Sequence, residues 1–300
     1  MGLAYLLCRV VDTIEDSEKL EPQLRERLFD EFRRALLDPN DALAFTGHCT
    51  ELWSNQQGDE AALMAEAQDL FTYYFELPKV EREILQPWID EMAEGMKRFA
   101  ARKVDNLLMV LDDEEDLFRY CHYVAGTVGG LLTDLFILHE SDINSQTRAG
   151  LEERAESFAQ GLQQVNMAKD LAGDHLRGWQ FLPRSFCVDF DPGELLQARV
   201  QRRVLDAHGR LCDLAEAELS RGLEYTLLLP PRSSARRFCT LPLLLARATF
   251  DLLRNNPDVL DPQKKVKIER SLTMELIQFT ALNSDDDDAI KKRYRALGRV

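Results

Sequence analysis

Between residues 3 and 297 the apolar side chains return every three or four positions nearly everywhere, and no sustained alternation of the strand type occurs. That spacing predicts helices over 3–17, 21–37, 59–76, 84–110, 113–139, 147–173, 193–221, 235–255, 262–282 and 286–297. Breakers stand between them: Pro22, Pro39-Asn40, Gly58, Pro78, Pro183, Pro192, Pro230-Pro231 and Asn255-Asn256-Pro257. Only 15 Gly and 11 Pro occur in 300 residues, too few for a loop-rich β fold or a disordered chain. No repeat of fixed period and no Ser/Gly-rich linker divides the sequence. The expectation is an all-α fold of about ten helices, read as one domain over residues 1–300.

Charge narrows the function. Lys and Arg number 37 against 52 Asp and Glu, a net charge of −15, which repels phosphate backbones and argues against nucleic acid as the main partner. An anionic substrate would then need metal ions or a local cationic patch. The six cysteines are widely spread, with no CxxC pair, and read as reduced core thiols of a reducing compartment. The apolar stretch Gly2 to Cys8 lacks a preceding basic region and ends at Arg9 and Asp12, and the run Leu241 to Ala246 is too short for a bilayer. A cytoplasmic chain, soluble or peripheral to a membrane, is expected.

Two segments place acids on helix faces. Tyr5, Arg9, Asp12 and Asp16 are spaced four, three and four, so they share one face with Glu15 beside them, bordered by Val10, Val11 and Ile14. Three carboxylates within five residues repel one another. They suit a hard cation such as Mg²⁺, which takes oxygen ligands and is often held by one or two carboxylates plus substrate phosphates; a solvated acidic helix end is the plainer reading. Gln163, Asn166, Asp170 and Asp174 form a second stripe at three, four and four, which reads as a solvent face or as oxygen ligands aimed into a bundle cavity.

Between them, Tyr120 and Tyr123 lie on an apolar helix interrupted by Gly126, Gly129 and Gly130, where close packing and room for a ligand are both open. Such a helix could line an apolar channel with a phenol at one end, or be core. Later comes Phe238-Cys239-Thr-Leu-Pro242, with Pro242 at or near a helix start. The run Asp285 to Asp288 before Lys291-Lys292-Arg293 reads as dipole complementation of a last helix.

Together these segments resemble the squalene and phytoene synthase family, the head-to-head prenyl-diphosphate synthases. Asp12-Thr-Ile-Glu15-Asp16 is similar to the family's first aspartate-rich motif, Asn166-Met-Ala-Lys169-Asp170-Leu-Ala-Gly-Asp174 to the second, Tyr120-Cys-His-Tyr123-Val-Ala-Gly126 to the tyrosine-bearing segment, and Phe238-Cys239-Thr-Leu-Pro242 to a late pocket-lining stretch. The resemblance spans roughly 3–275, and its wording, with Val266-Lys267-Ile268, is nearer the squalene synthases. It implies a single-domain, all-helical isoprenoid-synthase bundle around a central cavity, with Mg²⁺ (or Mn²⁺) between two aspartate-rich helices. Two farnesyl diphosphates would condense to presqualene diphosphate and then, with NADPH, to squalene. On this resemblance Asp12, Glu15, Asp16, Asn166, Asp170 and Asp174 would hold metal. Tyr120, Arg9 and Tyr5 would act in catalysis, Gln163, Lys169, Arg177, Val124, Leu132, Phe136, Phe238, Cys239 and Pro242 would contact substrate, and Lys267 would contact NADPH. A monomer, touching the membrane peripherally for product release, is the implied state.

Four departures from the family pattern stand out. Gly173 replaces an acid, Lys169 an arginine, and Trp179 a phosphate-binding arginine for which Arg177 could substitute. Relatives also carry an earlier helix with a Ser-Arg-Thr-Phe-like segment, whereas Met1 falls inside the following helix, as in a shortened sequence. The alternatives are a relative making phytoene, dehydrosqualene or presqualene diphosphate, and a non-catalytic assembly protein of the family. Val266-Lys267-Ile268 is followed by Glu269, and Lys264, Lys265 and Lys267 are equally read as a solvated helix face. Lys264, Lys265 and Arg270 could add charge beside them, and Arg232, Arg236 and Arg237 form a second basic cluster.

Overall fold

A computed structural model of the chain describes residues 1–17, 19–103 and 108–298. Its α-helices are α1 (Gly2–Asp16), α2 (Pro22–Ala35), α3 (Pro39–Trp53), α4 (Asp59–Ala65), α5 (Ala67–Glu76), α6 (Lys79–Ala100), α7 (Glu114–Cys121), α8 (Thr127–His139), α9 (Ser145–Lys169), α10 (Leu171–Leu176), α11 (Gln201–Leu228), α12 (Ser234–Phe250), α13 (Arg270–Asn283) and α14 (Asp287–Ala296). The all-α expectation holds. The only strands among the described residues are β1 (Met109–Val110) and β2 (Trp179–Gln180), paired in parallel with Met109 opposite Trp179.

Several boundaries differ from the sequence reading, each for a local reason. The Pro39-Asn40 pair does not end a helix but starts α3: Asp38 accepts from the backbone N–H groups of Asn40 and Asp41, and Pro39 takes the first turn, where its missing N–H costs nothing. The predicted 84–110 helix stops at Ala100, the 59–76 helix breaks at Glu66, and the 147–173 helix breaks at Asp170. The last helix matches its expectation, with Asp286 accepting from the Ala289 N–H. Pro242 lies inside α12 rather than at its start.

The chain divides into two compact units, Met1–Val104 with Gly130–Leu135, and Asp105–Gly129 with Phe136–Val300. In the first unit, Phe32, Phe45, Phe71 and Tyr74 from α2, α3 and α5 pack edge to face at 5.6–6.3 Å. Fully burying each such ring contributes about 1.5–3 kcal/mol. The Tyr74 hydroxyl donates to the Leu36 carbonyl at 3.2 Å. Trp88 of α6 lies over Gly130, where a Cβ would meet the ring at 2.5 Å, and donates from Nε1 to Asp134 at 2.8 Å.

In the second unit α9 and α11 run antiparallel. Gly161 of α9 faces Leu219, Gly222 of α11 faces Phe158, and the Phe158 and Tyr225 rings stack at 5.3 Å. A Cβ at Gly161 would come within 2.9 Å of the Leu219 nitrogen, so the two backbones meet there closely. Gly129 packs likewise, its Cβ position 2.6 Å from the Ala155 carbonyl oxygen. The glycines at 129 and 130 therefore serve close packing, not ligand space. All six cysteines are buried and free of disulfides.

Between α7 and α8 the backbone makes one π-helical turn, His122–Gly126, so Glu114–His139 is a continuous rod of 26 residues. Its length and composition would suffice to cross a membrane, although 44% of its most apolar window is buried inside the protein. It corresponds to the helix expected over 113–139.

Candidate active site

The buried side of α1 decides which residues look out. Leu7, Val10, Val11 and Ile14 are completely buried, which turns Tyr5, Arg9, Asp12 and Asp16 away from the core as one stripe. Tyr5 is 65% exposed. Arg9 pairs with Asp12 at 3.0 Å and with Glu60 of α4 at 3.2 Å. Glu15 does not join this stripe. It is only 7% exposed, and its Oε1 finds no hydrogen-bond partner among the described residues.

The electrostatics follow from that placement. Burial pushes the Asp12 carboxyl up to about 6, opposed by Arg9 and reinforced by Asp16. Burial also holds Glu15 well above the usual carboxylate range, with Asp16 and Asp12 adding repulsion and Arg25 and Lys103 opposing it. Arg25 is turned toward the same end of α1, donating to the Ser17 carbonyl at 2.7 Å. Sequence reasoning had no signal for Glu60, which lies 51 positions from Arg9.

The second stripe is bent by the chain. Asp170 has φ −99° and ψ 16°, off the helical values near −63° and −42°, so α9 ends there and α10 begins. Asn166 and Asp170 are exposed and Gln163 half-buried, whereas Asp174 is buried. Lys169 Nζ lies 3.1 Å from Asp170 Oδ2, and Arg177 pairs with Asp174. Gly173 has nothing within 4 Å of its Cβ position, so the departure there leaves open space.

Tyr120 is 4% exposed and stacks on Phe181 at 4.8 Å, with Trp179 at 6.5 Å. Trp179 is thus core of β2, and the cation at this end of α10 is Arg177. Phe136 meets Phe238 edge to face at 6.2 Å. Cys239 is buried, Phe238 half-exposed, and Val124, Leu132 and Pro242 are partly buried. Lys267 lies in a coil preceding α13, not on a helix face, and is exposed. Lys264 pairs with Asp258 at 2.6 Å. Arg236 turns wholly inward and pairs with Asp287, which removes it from the exposed basic cluster.

Chemically, the two acidic stripes, Asp12 and Asp16 on α1 and Asn166, Asp170 and Asp174 across α9 and α10, offer oxygen donors. Among the described residues no three His, Cys, Asp or Glu side chains converge into a closed metal cage. A divalent ion at either helix would therefore complete its shell with water or substrate oxygens, which is the habit of Mg²⁺. The unmet Glu15 oxygen and the adjacent Asp12 and Asp16 carboxylates are the oxygen-donor set a hard cation such as Mg²⁺ takes, so the residues fit it.

A family profile described as "Squalene/phytoene synthase" matches residues 1–271. The chain belongs to the squalene/phytoene synthase family. Similar family members include the squalene synthase of Saccharomyces cerevisiae, 27% identical over 277 residues, covering 92% of this chain and 59% of the yeast protein. That of Schizosaccharomyces pombe is 26% identical over 281 residues, covering 91% and 57%. The chain thus spans about three fifths of the length of these curated relatives. Among solved structures of the family fold, one described as TcSQS with a bound ligand superposes with a TM-score of 0.78 at 24% identity, covering 98% of this chain and 82% of that one. A dehydrosqualene synthase in complex with ligand gives 0.52 at 14%, covering 94% and 97%.

Proposed function

We propose that this prenyltransferase-family chain is a Mg²⁺-dependent farnesyl-diphosphate farnesyltransferase that condenses two farnesyl diphosphates head to head, through presqualene diphosphate, to squalene. The observation that carries the reading is the outward side of α1, where Asp12 and Asp16 stand a turn apart with Arg9 beside them and Glu15, one oxygen unmet, behind. A structural helix gains nothing from this crowding; a diphosphate site does.

In this reading Asp12 and Asp16, with the inward Glu15 behind them, would hold Mg²⁺ at one acidic helix, and Asn166, Asp170 and Asp174 would hold it at the other. Mg²⁺ bound there supplies neutralisation of the charge developing on a departing diphosphate. In this reading Arg9, Lys169 and Arg177, which pair with Asp12, Asp170 and Asp174, would each take a diphosphate oxygen. Tyr5 and Gln163 contact the head groups. Val124, Phe136, Phe238, Cys239 and Pro242 of the second unit would contact the prenyl chain and keep water from the allylic cation, whose charge aromatic faces stabilise; Leu132 stays a substrate residue by resemblance alone. Tyr120, held in the Phe181 and Trp179 stack, orients diphosphate or takes the proton lost when the cyclopropane closes.

NADPH as reductant rests on Val266-Lys267-Ile268 alone. Lys267 lies on exposed coil, Lys264 is engaged by Asp258 and Arg236 by Asp287. These residues form no cradle for a nucleotide phosphate. A cytoplasmic protein, monomeric and peripheral to the membrane, completes the proposal; the Glu114–His139 rod is read as core because Gly129 and Gly130 are packed against Ala155 and Trp88.

Product analysis with labelled farnesyl diphosphate and Mg²⁺, with and without NADPH, tests this reading. Squalene only with NADPH supports it in full. Presqualene diphosphate or dehydrosqualene under both conditions moves the chain to the reductant-free members, and no condensation product overturns it.

A further inference from the structure

The α9/α10 break is held from outside by a residue far along the chain. Ala168 is the penultimate residue of α9, so its carbonyl is among the four at a helix end that lack an intrahelical donor. His208 of α11 is completely buried, and its Nε2 lies 2.9 Å from that oxygen. The antiparallel course of α9 and α11, fixed by the close approaches at Gly161 and Gly222, brings position 208 level with the end of α9.

The hydrogen-bond roles close without remainder. A carbonyl only accepts, so Nε2 carries the proton. In the neutral ring Nδ1 is then an acceptor, and Cys212 Sγ, one turn along α11, stands 3.7 Å from it as a weak donor. Burial lowers the imidazole pKa and keeps this neutral form. Two residues beyond Ala168 the chain leaves the helix at Asp170. The Asp174 N–H then donates to the Asp170 carbonyl at 2.9 Å, so both acids ride on the geometry of the break.

We propose that His208 is a positioning residue: by donating to the Ala168 carbonyl it sets the break at Asp170 and so aims Asp170 and Asp174. This rests on the reading of those two acids as a metal-diphosphate face. An apolar side chain of similar size would fill the space and leave the carbonyl buried and unmet, freeing the last turn of α9 to shift.

The test uses the full chain with His208→Leu, His208→Gln and His208→Asn. Glutamine can donate from the Nε2 position, and the shorter asparagine cannot. Two readouts are taken: amide hydrogen exchange across residues 171–174, and binding of inorganic pyrophosphate with Mn²⁺ by calorimetry. The expected result is faster exchange at 171–174 in the Leu and Asn variants with α1 unchanged. Mn²⁺-pyrophosphate affinity should fall about 10-fold in both, as for other groups that orient metal ligands, and stay within about 3-fold of the parent for Gln. If the Leu variant fails to fold, the Gln and Asn pair decides: parent-like Gln with weakened Asn supports the role, and equal behaviour overturns it. Parent-like exchange and affinity in the Leu variant, or altered exchange with unaltered affinity, also overturn it. A parent that binds no Mn²⁺-pyrophosphate at all sinks the metal reading instead, and exchange at 171–174 then decides whether His208 holds the break.

Discussion

Asp12 and Glu15 stand one turn apart on α1 with their carboxylates in different surroundings: Asp12 is partly buried and paired with Arg9 at 3.0 Å, and Glu15 is buried with one oxygen unmet. Both are held above the usual carboxylate range, chiefly by burial. In a metal-free protein that arrangement is a cost, and a bound cation would relieve it.

The pH dependence follows from the sign of that shift. The folded Asp12 value of about 6 lies above the unfolded value near 3.8, so the folded state binds more protons between those pH values. Its contribution is full below pH 4 and is lost as pH rises through 6. The two-unit shift corresponds to about 3 kcal/mol. Urea unfolding in chelator between pH 4 and pH 7 should show the parent losing that much more stability than Asp12→Asn; superimposable profiles would contradict the burial of Asp12.

Glu15→Gln should raise the stability of the metal-free protein at pH 8 by roughly 1–2 kcal/mol, since a buried, under-partnered carboxyl becomes a neutral amide. The same variant should lose Mg²⁺-dependent turnover by an order of magnitude or more. Thermal melts and initial rates read the two effects separately. A Glu15→Gln protein that is both less stable and fully active would reverse the assignment.

How much of this was legible in the sequence differs by element. The acidic stripe of α1 and the aromatic segment around Tyr120 were legible because helical periodicity is local and the residue types are chemically loaded. Glu15 was read with its neighbours, since spacing gives a face but not the depth at which a face is buried. The break at Asp170 was missed because no Pro or Gly marks it; the donor that meets its freed carbonyl is His208, 40 positions away. Helix α3 was missed because Asp38-Pro39 serves as a start signal as well as a stop. Lys267 was placed on a helix that begins only at Arg270.

Packing at the glycines gives a further prediction. Gly129→Ala puts a Cβ 2.6 Å from a backbone oxygen of α9, and should cost roughly 1–3 kcal/mol. Gly47 of α3 has nothing within 4 Å, so Gly47→Ala should stabilise by about 0.5–1 kcal/mol. Denaturant midpoints of the two variants check the contrast, and equal midpoints would contradict the close approach at Gly129.

For Tyr120→Phe the ring stack on Phe181 is retained and only the hydroxyl is lost. Formation of presqualene diphosphate should slow by about 100-fold with the farnesyl-diphosphate KM within a few-fold of the parent. Single-turnover kinetics check this; a parent-like rate would demote Tyr120 to packing.

The central claim is that the two acidic helices act through Mg²⁺. The most direct measurement is condensation of labelled farnesyl diphosphate by the parent, Asp12→Asn and Asp170→Asn, each with Mg²⁺ and with excess chelator, alongside circular dichroism. Product is expected only for the parent with Mg²⁺, with losses of at least about 1,000-fold in either variant at unchanged helix content. Undiminished product in chelator, or a variant within a few-fold of the parent, would contradict it.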